Sequence, residues 1–343
     1  MVVVESYAIA VLMCVVTMLC WGSWANTQKL ATKEWRFQLY YWDYAIGVLL
    51  FALLLAFTMG SMGAEGMGRS FLDDLKQASG SALGWALLGG VIFNLANILL
   101  VAAIDVAGLA VAFPVGIGIA LVLGVVVNYV RVPKGDPVLL ALGVLGVTIA
   151  IIVDAMAYRR LPSQGKKTTG LGIGLSVVAG IFMAFFYYCV VAAMAKDFDK
   201  VVGGKVVLEA GKLTPYTAVV IFSAGPLISN FLWNSIVMVK PFVGDPVPFG
   251  DYFRKGNARL HLIGILGGII WSIGMSFSII ASGPAGPAIS YGLGQGATMV
   301  AAFWGVFIWK EFKEAPAGTN KLLNAMFASY LVGLVLIIVA RLV

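Results

Sequence analysis

The sequence has little charge for its length. Only 11% of its 343 residues are Asp, Glu, Lys or Arg, whereas soluble domains carry about 25%. It has one histidine, His261, and three scattered cysteines, Cys14, Cys20 and Cys189, each inside an apolar run. With no His/Cys cluster and no Ser-His-Asp set, the sequence predicts no metal site, no disulfide framework, no cofactor and no enzyme.

Apolar residues are what the chain has in abundance. They make up 61% of the sequence, and the mean hydropathy is +0.96, so most of the mass is predicted to lie in a bilayer. The net charge of +7 comes from dispersed loop Lys and Arg that we expect to face anionic lipid. No basic motif interleaved with aromatics occurs outside the apolar runs, so nucleic acid is not expected as a partner.

Ten apolar runs are long enough to cross the hydrocarbon core, which takes about 20 residues. None alternates polar and apolar residues as a β-barrel strand would. The sequence therefore predicts an all-α membrane protein with ten transmembrane helices. The predicted spans are 6–28, 37–60, 82–105, 108–130, 136–157, 169–194, 214–239, 259–281, 285–309 and 320–342.

An ungapped internal repeat divides the chain. A shift of 178 residues places Gly89–Val122 over Gly267–Val300, with most glycines and alanines in register. The predicted units are a five-helix repeat at 1–158, a connecting loop at 159–168 and a second five-helix repeat at 169–343. Because five is odd, the second copy would run in the opposite direction through the membrane. Inverted repeats of this kind are typical of secondary transporters, whose site lies between the halves.

The distribution of loop charges predicts the orientation. With the N-terminus outside, most of the 23 lysine and arginine residues fall on the cytoplasmic side, as the positive-inside rule requires. The four lysines between Lys196 and Lys212 argue for the opposite orientation. Our interpretation places both termini outside.

Aromatic residues in the first span are candidates for ligand stacking. Trp21, Trp24 and Gln28 recur on one helical face, and two indole rings can enclose a flat heterocycle or stack on a sugar ring. The alternative is an interfacial belt of tryptophans near the helix end.

Amide and hydroxyl groups inside the third and eighth spans are further candidates. Asn94 and Asn97 share a helical face, and the repeat aligns Asn94 with Ser272, beside Trp271. Amides offer donors and an acceptor, which suits a ureide or oxo-pyrimidine edge. The alternative for each is a hydrogen bond between helices.

The sixth and ninth spans supply the remaining candidates. Tyr291 and Gln295 are neighbours in the ninth span, whereas their repeat mates Phe113 and Ile117 are apolar. This difference would give a symmetric fold an asymmetric site. Tyr187, in the middle of the sixth span, is predicted to face inward.

Two acidic residues are candidates for proton coupling. Asp43 lies two turns into the second span and Asp154 near the end of the fifth; carboxyl groups removed from water can exchange protons near neutral pH. For Asp43 the alternatives are bonding of exposed helix-start amides or pairing with Lys33 or Arg36. His261, at the start of the eighth span, is predicted to lie at the interface.

Short motifs in several spans resemble those of the ureide permeases, a family of the drug/metabolite transporter superfamily related to glucose/ribose porter-like carriers. The resemblance covers about residues 15–340. Its motifs are Trp21-Gly22-Ser23-Trp24, Tyr41-Trp42-Asp43-Tyr44, Tyr216-Thr217-Ala218 and Phe303-Trp304-Gly305 with Lys310-Glu311.

The resemblance implies a ten-helix fold with a central site and uptake of allantoin, uracil or oxo-purines, with protons. One departure is the central loop at 159–168, which is much shorter than in plant ureide permeases and has no Gly-rich phosphate loop. A bacterial protein of the inner (plasma) membrane would fit that short loop.

These observations predict a secondary active transporter that works by alternating access, as a monomer or homodimer. A monosaccharide carrier of the same superfamily remains an alternative, because stacking and amides serve sugars equally well. An intramembrane enzyme using Asp43 and Asp154 as a carboxylate pair is the remote alternative.

Overall fold

The computed structural model describes residues 1–31, 35–161 and 170–343. Within these ranges the chain forms ten apolar helices long enough to cross a membrane, and its few β-bridges are isolated. The prediction of an all-α membrane protein with ten spans is confirmed. The spans are α1 (Tyr7–Ala31), α2 (Phe37–Phe57), α3 (Gly80–Ala107), α4 (Leu109–Arg131), α5 (Pro137–Tyr158), α6 (Gly170–Ala193), α7 (Pro215–Val239), α8 (Ala258–Ala285), α9 (Pro287–Ile308) and α10 (Thr319–Val339).

Backbone hydrogen bonds between loops show which ends of the spans lie together. Met67 accepts from the N-terminus at 2.9 Å, and Asp136 N donates to Ala340 O at 2.6 Å. We call this side, where Met1 and Ala340 lie, the terminal face. The opposite side is the distal face, where Lys29 pairs with Glu311. Of the predicted connecting loop 159–168, residues 162–168 lie outside the described part of the chain.

Helices α3 and α8 begin and end at positions that the 178-residue shift relates. Each has 28 residues. Ser79 caps α3 by accepting from Ala82 N, and Asn257 caps α8 by accepting from Leu260 N. A side-chain oxygen at this position satisfies a helix-start amide that has no partner within the helix. Both helices thus begin with a side-chain N-cap at the same relative position.

A single glycine turns the chain from each of these helices into the next. Gly108 has φ 82° and ψ 157°, and Gly286 has φ 88° and ψ 147°. Only glycine adopts this backbone conformation readily. The two turns therefore have the same shape at repeat-related positions.

Glycines also allow the closest helix approaches. A Cβ on Gly90 of α3 would collide with the α7 backbone at Gly225, and one on Gly268 of α8 would collide with the α2 backbone at Gly47. Small residues let membrane helices pack backbone to backbone, which dispersion forces reward. The contact of α3 with α7 thus repeats as the contact of α8 with α2.

Three spans are interrupted rather than continuous. In α1 the helix breaks at Trp24, and in α9 it breaks at Gln295 and Gly296 before a π-helical turn at Trp304–Ile308. α7 contains Pro226 and breaks at Phe231. The breaks in α1 and α9 lie next to each other at the cavity described below.

We expect Gly90→Ala to lower the thermal unfolding midpoint, because the added methyl overpacks the α3–α7 contact at a cost of about 1–3 kcal/mol. The matched control is Gly84→Ala on the same helix, where a Cβ meets open space and alanine improves helix propensity. Scanning fluorimetry in detergent measures both. Equal midpoints for the two variants would contradict the close contact.

Candidate substrate site

A cavity of about 390 Å³ lies between the two sets of five helices. Its wall is formed by the second halves of α1, α3 and α9, the first half of α4, the end of α5 and the middle of α6 and α8. These ends belong to the distal face, and the half-exposed Lys29 and Glu311 side chains stand at the mouth. The cavity therefore opens toward the distal face.

Aromatic rings form the inner wall. The Trp21 and Trp271 rings stack with centroids 5.8 Å apart and an interplanar angle of 12°, and Trp21 Nε1 donates to Trp271 O at 3.2 Å. Phe93 lies against Trp271 at 4.4 Å between ring centroids, and Trp24 lies against Tyr44 at 4.8 Å. All three predicted tryptophans line the cavity. Trp21 and Trp271 therefore pack on each other and do not stand apart to enclose a ligand between them.

Two predicted amides line the cavity with unused hydrogen-bonding capacity. Asn97 donates to Tyr41 Oη at 3.0 Å through Nδ2, which leaves its Oδ1 for other partners. Gln295 lies at the break in α9 and is 7% exposed, and its side chain has no hydrogen-bond partner among the described residues. A buried polar group without a partner is costly, so these atoms are suited to meeting a ligand.

Asp154 also lines the cavity. It is 8% exposed, and its Oδ1 is buried without a hydrogen-bond partner within the described ranges. It lies one turn before the end of α5. This places a carboxyl group in the wall of the cavity near its distal end.

A charged cluster at the mouth was not predicted. Lys29 Nζ pairs with Glu311 Oε1 at 2.6 Å and lies 4.3 Å from the centroid of the Trp309 ring. Tyr158 Oη donates to Glu311 Oε2 at 2.9 Å. The Lys310-Glu311 motif and the helical face that carries Gln28 were the only sequence signals. Neither could show that α1 and α9 end beside each other.

Four predicted residues do not line the cavity, namely Asn94, Tyr187, Ser272 and Tyr291. Asn94 Nδ2 donates to Pro226 O at 3.2 Å, and Ser272 Oγ donates to Val48 O at 2.9 Å. These two carbonyls are also 178 residues apart. Asn94 thus joins α3 to α7, and Ser272 joins α8 to α2, the pair that the 178-residue shift relates to it. In this conformation they act as interhelical contacts.

The two tyrosines are similarly engaged. Tyr187 Oη bonds Ser278 O at 2.9 Å and Ser290 Oγ at 2.8 Å, and Tyr291 Oη donates to Ala120 O at 3.0 Å. Both rings are fully buried and lie on the terminal-face side of the cavity. They help to close that side.

Asp43 lies outside the cavity, near the distal face. Its carboxylate accepts from Trp35 Nε1 at 3.2 Å and from the Tyr252 hydroxyl, and His261 Nδ1 lies 3.0 Å from Oδ1. Burial, with the Asp43 carboxylate beside it, raises the pKa of Tyr252, which keeps that hydroxyl a donor. The cluster ties α2 and α8 to the short helix Asp251–Arg254.

The alternatives weighed for Asp43 can now be compared with its contacts. Arg36 donates to Asp245 O at 2.9 Å and is engaged there, and Lys33 lies outside the described residues. His261, predicted only as an interfacial residue, is instead the basic partner. The two residues are more than 200 positions apart, so no local pattern could have paired them.

Ten spans that enclose a largely apolar cavity with a few polar side chains in its wall are typical of a membrane transport protein. The chain belongs to the ureide permease family: the family model described as "Ureide permease" matches residues 40–160 and 146–340. The predicted resemblance to this family is confirmed, and the chain is a multi-pass membrane transporter.

Individual relatives are distant but cover nearly the full length. The chain is 24% identical to Ureide permease 4, 23% to Ureide permease 2 and 22% to Ureide permease 1 of Arabidopsis thaliana, with about 96% of each chain covered. A solved structure described only as "Crystal structure of protein" aligns with a TM-score of 0.57 at 14% identity, covering 98% of this chain and 99% of the other. At that identity it shows the fold alone.

We expect a cysteine at Ala301, which lines the cavity, to react with a membrane-impermeant maleimide added from the distal face only. Cys14, Cys20 and Cys189 are first replaced. The control is Ala281→Cys, which is fully buried and should stay unlabelled. Lys313→Cys, at an exposed position on the distal face, gives the orientation in right-side-out and inverted vesicles. Labelling of Ala301→Cys from the side opposite to Lys313→Cys would contradict the observed opening.

Proposed function

We propose that the protein is a secondary active transporter for a small polar heterocycle of the allantoin, uracil or oxo-purine type. The observation that carries this proposal is the cavity, which is lined both by aromatic rings and by Asn97, Gln295 and Asp154, the last with its Oδ1 unpartnered among the described residues. Stacking holds a planar ring, and the amides of Asn97 and Gln295 bind its polar edge. The names of the plant relatives support a ureide as cargo.

We also propose that 1–158 and 169–343 are inverted repeats that exchange the cavity between faces. The equal helix bounds, the glycine turns and the matched contacts at Gly90 and Gly268 support this. In the opposite state the aromatic wall would face the terminal side, where Asn94, Tyr187, Ser272 and Tyr291 could then approach the substrate. Binding in both states lowers the barrier between them, which is the requirement for alternating access.

We propose that the distal face lies in the cytoplasm, which most of the loop charge favours, and that the location is a bacterial inner (plasma) membrane. In that orientation the structure is open to the inside. The proton gradient is the proposed driving force, with Asp43 and Asp154 as the groups that take up protons. Asp154 meets the cavity directly, whereas Asp43 acts through contacts between α2, α8 and the Asp251–Arg254 helix.

We expect the purified protein in proteoliposomes to take up radiolabelled allantoin or uracil, with glucose and ribose failing to compete. Asn97→Ala and Gln295→Ala should each weaken uptake about tenfold, the value of one lost hydrogen bond to a ligand. Asn324→Ala, an exposed amide on α10, is the matched control. Competition by sugars alone would instead assign the cavity to a monosaccharide.

We expect Asp43→Asn to reduce uphill accumulation of substrate while leaving its dissociation constant unchanged, because Asp43 lies outside the cavity but holds His261. Accumulation is measured with an imposed proton gradient, and affinity by binding to the same preparation. Full accumulation in this variant would remove Asp43 from the coupling mechanism, and equal uptake with and without the gradient would remove proton coupling altogether.

A further inference from the structure

The carboxyl group of Asp154 has an unusual combination of surroundings. It is more than nine-tenths buried, it lines the cavity, and it has no hydrogen-bond partner in the described parts of the chain. The other described carboxyl groups in the spans or at the cavity are Asp43, Asp105 and Glu311, and none of them is without a partner. Among the described residues Asp154 is therefore left to meet a partner from the cavity that it lines.

Among the described residues, no cation is bonded to Asp154. Glu311 adds negative charge from beyond α9, and Lys29 of α1 is engaged by Glu311 and by the Trp309 ring. Tyr158, on the same helix, donates to Glu311, and Tyr330 approaches from α10. An ionised carboxylate without a partner is far more costly to bury than the neutral acid, so a proton can stabilise this group.

Protonation changes what Asp154 can recognise. The ionised form only accepts hydrogen bonds, whereas the neutral acid has one O–H donor beside one C=O acceptor. A lactam edge, in which an N–H stands next to a C=O, carries the complementary acceptor and donor. The neutral acid and a lactam can form two parallel hydrogen bonds, and the ionised form loses the one to the ligand carbonyl.

We propose that protonated Asp154 pairs with the adjacent N–H and C=O of the substrate, so that proton and substrate enter and leave the cavity together. This inference rests on the proposed function and adds the group that recognises the substrate class and carries the proton. The proton comes from water at the open face, forms the carboxyl O–H, and returns to water when the substrate departs. No covalent bond to the substrate forms or breaks.

Binding of uracil and 1,3-dimethyluracil to the purified protein, at acidic and at neutral pH, tests the proposal. Wild type should bind uracil more tightly at acidic pH, where the carboxyl group is protonated. Asp154→Asn should retain that affinity within about threefold and lose the pH dependence, because an amide also offers a donor beside an acceptor. Asp154→Leu offers neither and should bind about tenfold more weakly or worse.

The dimethylated probe separates recognition from packing. It keeps the ring but has no N–H, so its weak binding should be the same in wild type, Asp154→Asn and Asp154→Leu. Asp245→Asn, an exposed loop carboxyl, is the control and should behave as wild type. In proteoliposomes, Asp154→Asn should exchange uracil across the membrane but fail to accumulate it against a gradient.

Several outcomes would overturn the proposal. If Asp154→Asn and Asp154→Leu lose affinity for uracil equally, binding needs a charge or a packing contact at this position instead of a donor and an acceptor. If the variants lose affinity for uracil and for 1,3-dimethyluracil to the same extent, residue 154 does not contact the N–H of the ligand. If wild type and both variants at residue 154 bind uracil equally well, this inference alone fails. If wild type binds none of uracil, allantoin and xanthine, the proposed function fails as well.

Discussion

The structure depends on one constraint: a polar group within the bilayer must find its partner inside the protein, because lipid supplies none. Most polar side chains in the spans obey it through a neighbouring helix. Asn94 bonds the α7 carbonyl of Pro226, and Ser272 bonds the α2 carbonyl of Val48. Among the described residues the exceptions occur both at the cavity and away from it. Asp154 Oδ1 is buried without a partner at the cavity wall, whereas the unpartnered hydroxyls of Ser276 and Tyr330 lie elsewhere. Asp154 differs from them because its unsatisfied atom belongs to an ionisable group beside a space that a ligand can enter.

Close packing at glycine and hydrogen bonding across it act together. Gly90 lets α3 lie against α7, and one turn later Asn94 reaches the α7 backbone. The second half has the same arrangement with Gly268 and Ser272 against α2. The α3–α7 contact and the α8–α2 contact are therefore built in the same way, with a glycine at the close approach and a polar side chain one turn later.

Much of the fold could be predicted from the sequence because its signals are local. Apolar length gives the spans, and the 178-residue register located the α3–α4 and α8–α9 units whose ends and turns agree in the structure. The site was harder. Asn94 and Asn97 share a helical face, yet one meets α7 and the other the cavity. Periodicity gives a direction around a helix, but not which neighbour stands there.

Contacts between distant segments could not be predicted at all. Asp43 with His261, and Lys29 with Glu311, join residues more than 200 positions apart, and each contact requires that the distal parts of two particular spans lie side by side. The breaks at Trp24 and Gln295 likewise have no proline to announce them. They arise where the chain must turn a tryptophan and an amide toward the cavity, which is a property of the assembled bundle.

The two repeat-related turns differ most in what surrounds them. The turn at Gly286 is fully buried on the terminal face, where Lys134 Nζ donates to Gly283 O at 2.6 Å and Arg341 Nε donates to Pro284 O at 3.1 Å. Burial lowers the pKa of Lys134, so this ammonium gives up hydration to hold the turn. The residues flanking Gly108 line the open cavity instead. One backbone shape thus serves as a closed contact at one face and as a cavity wall at the other, and an exchange of these two environments would move the opening across the membrane.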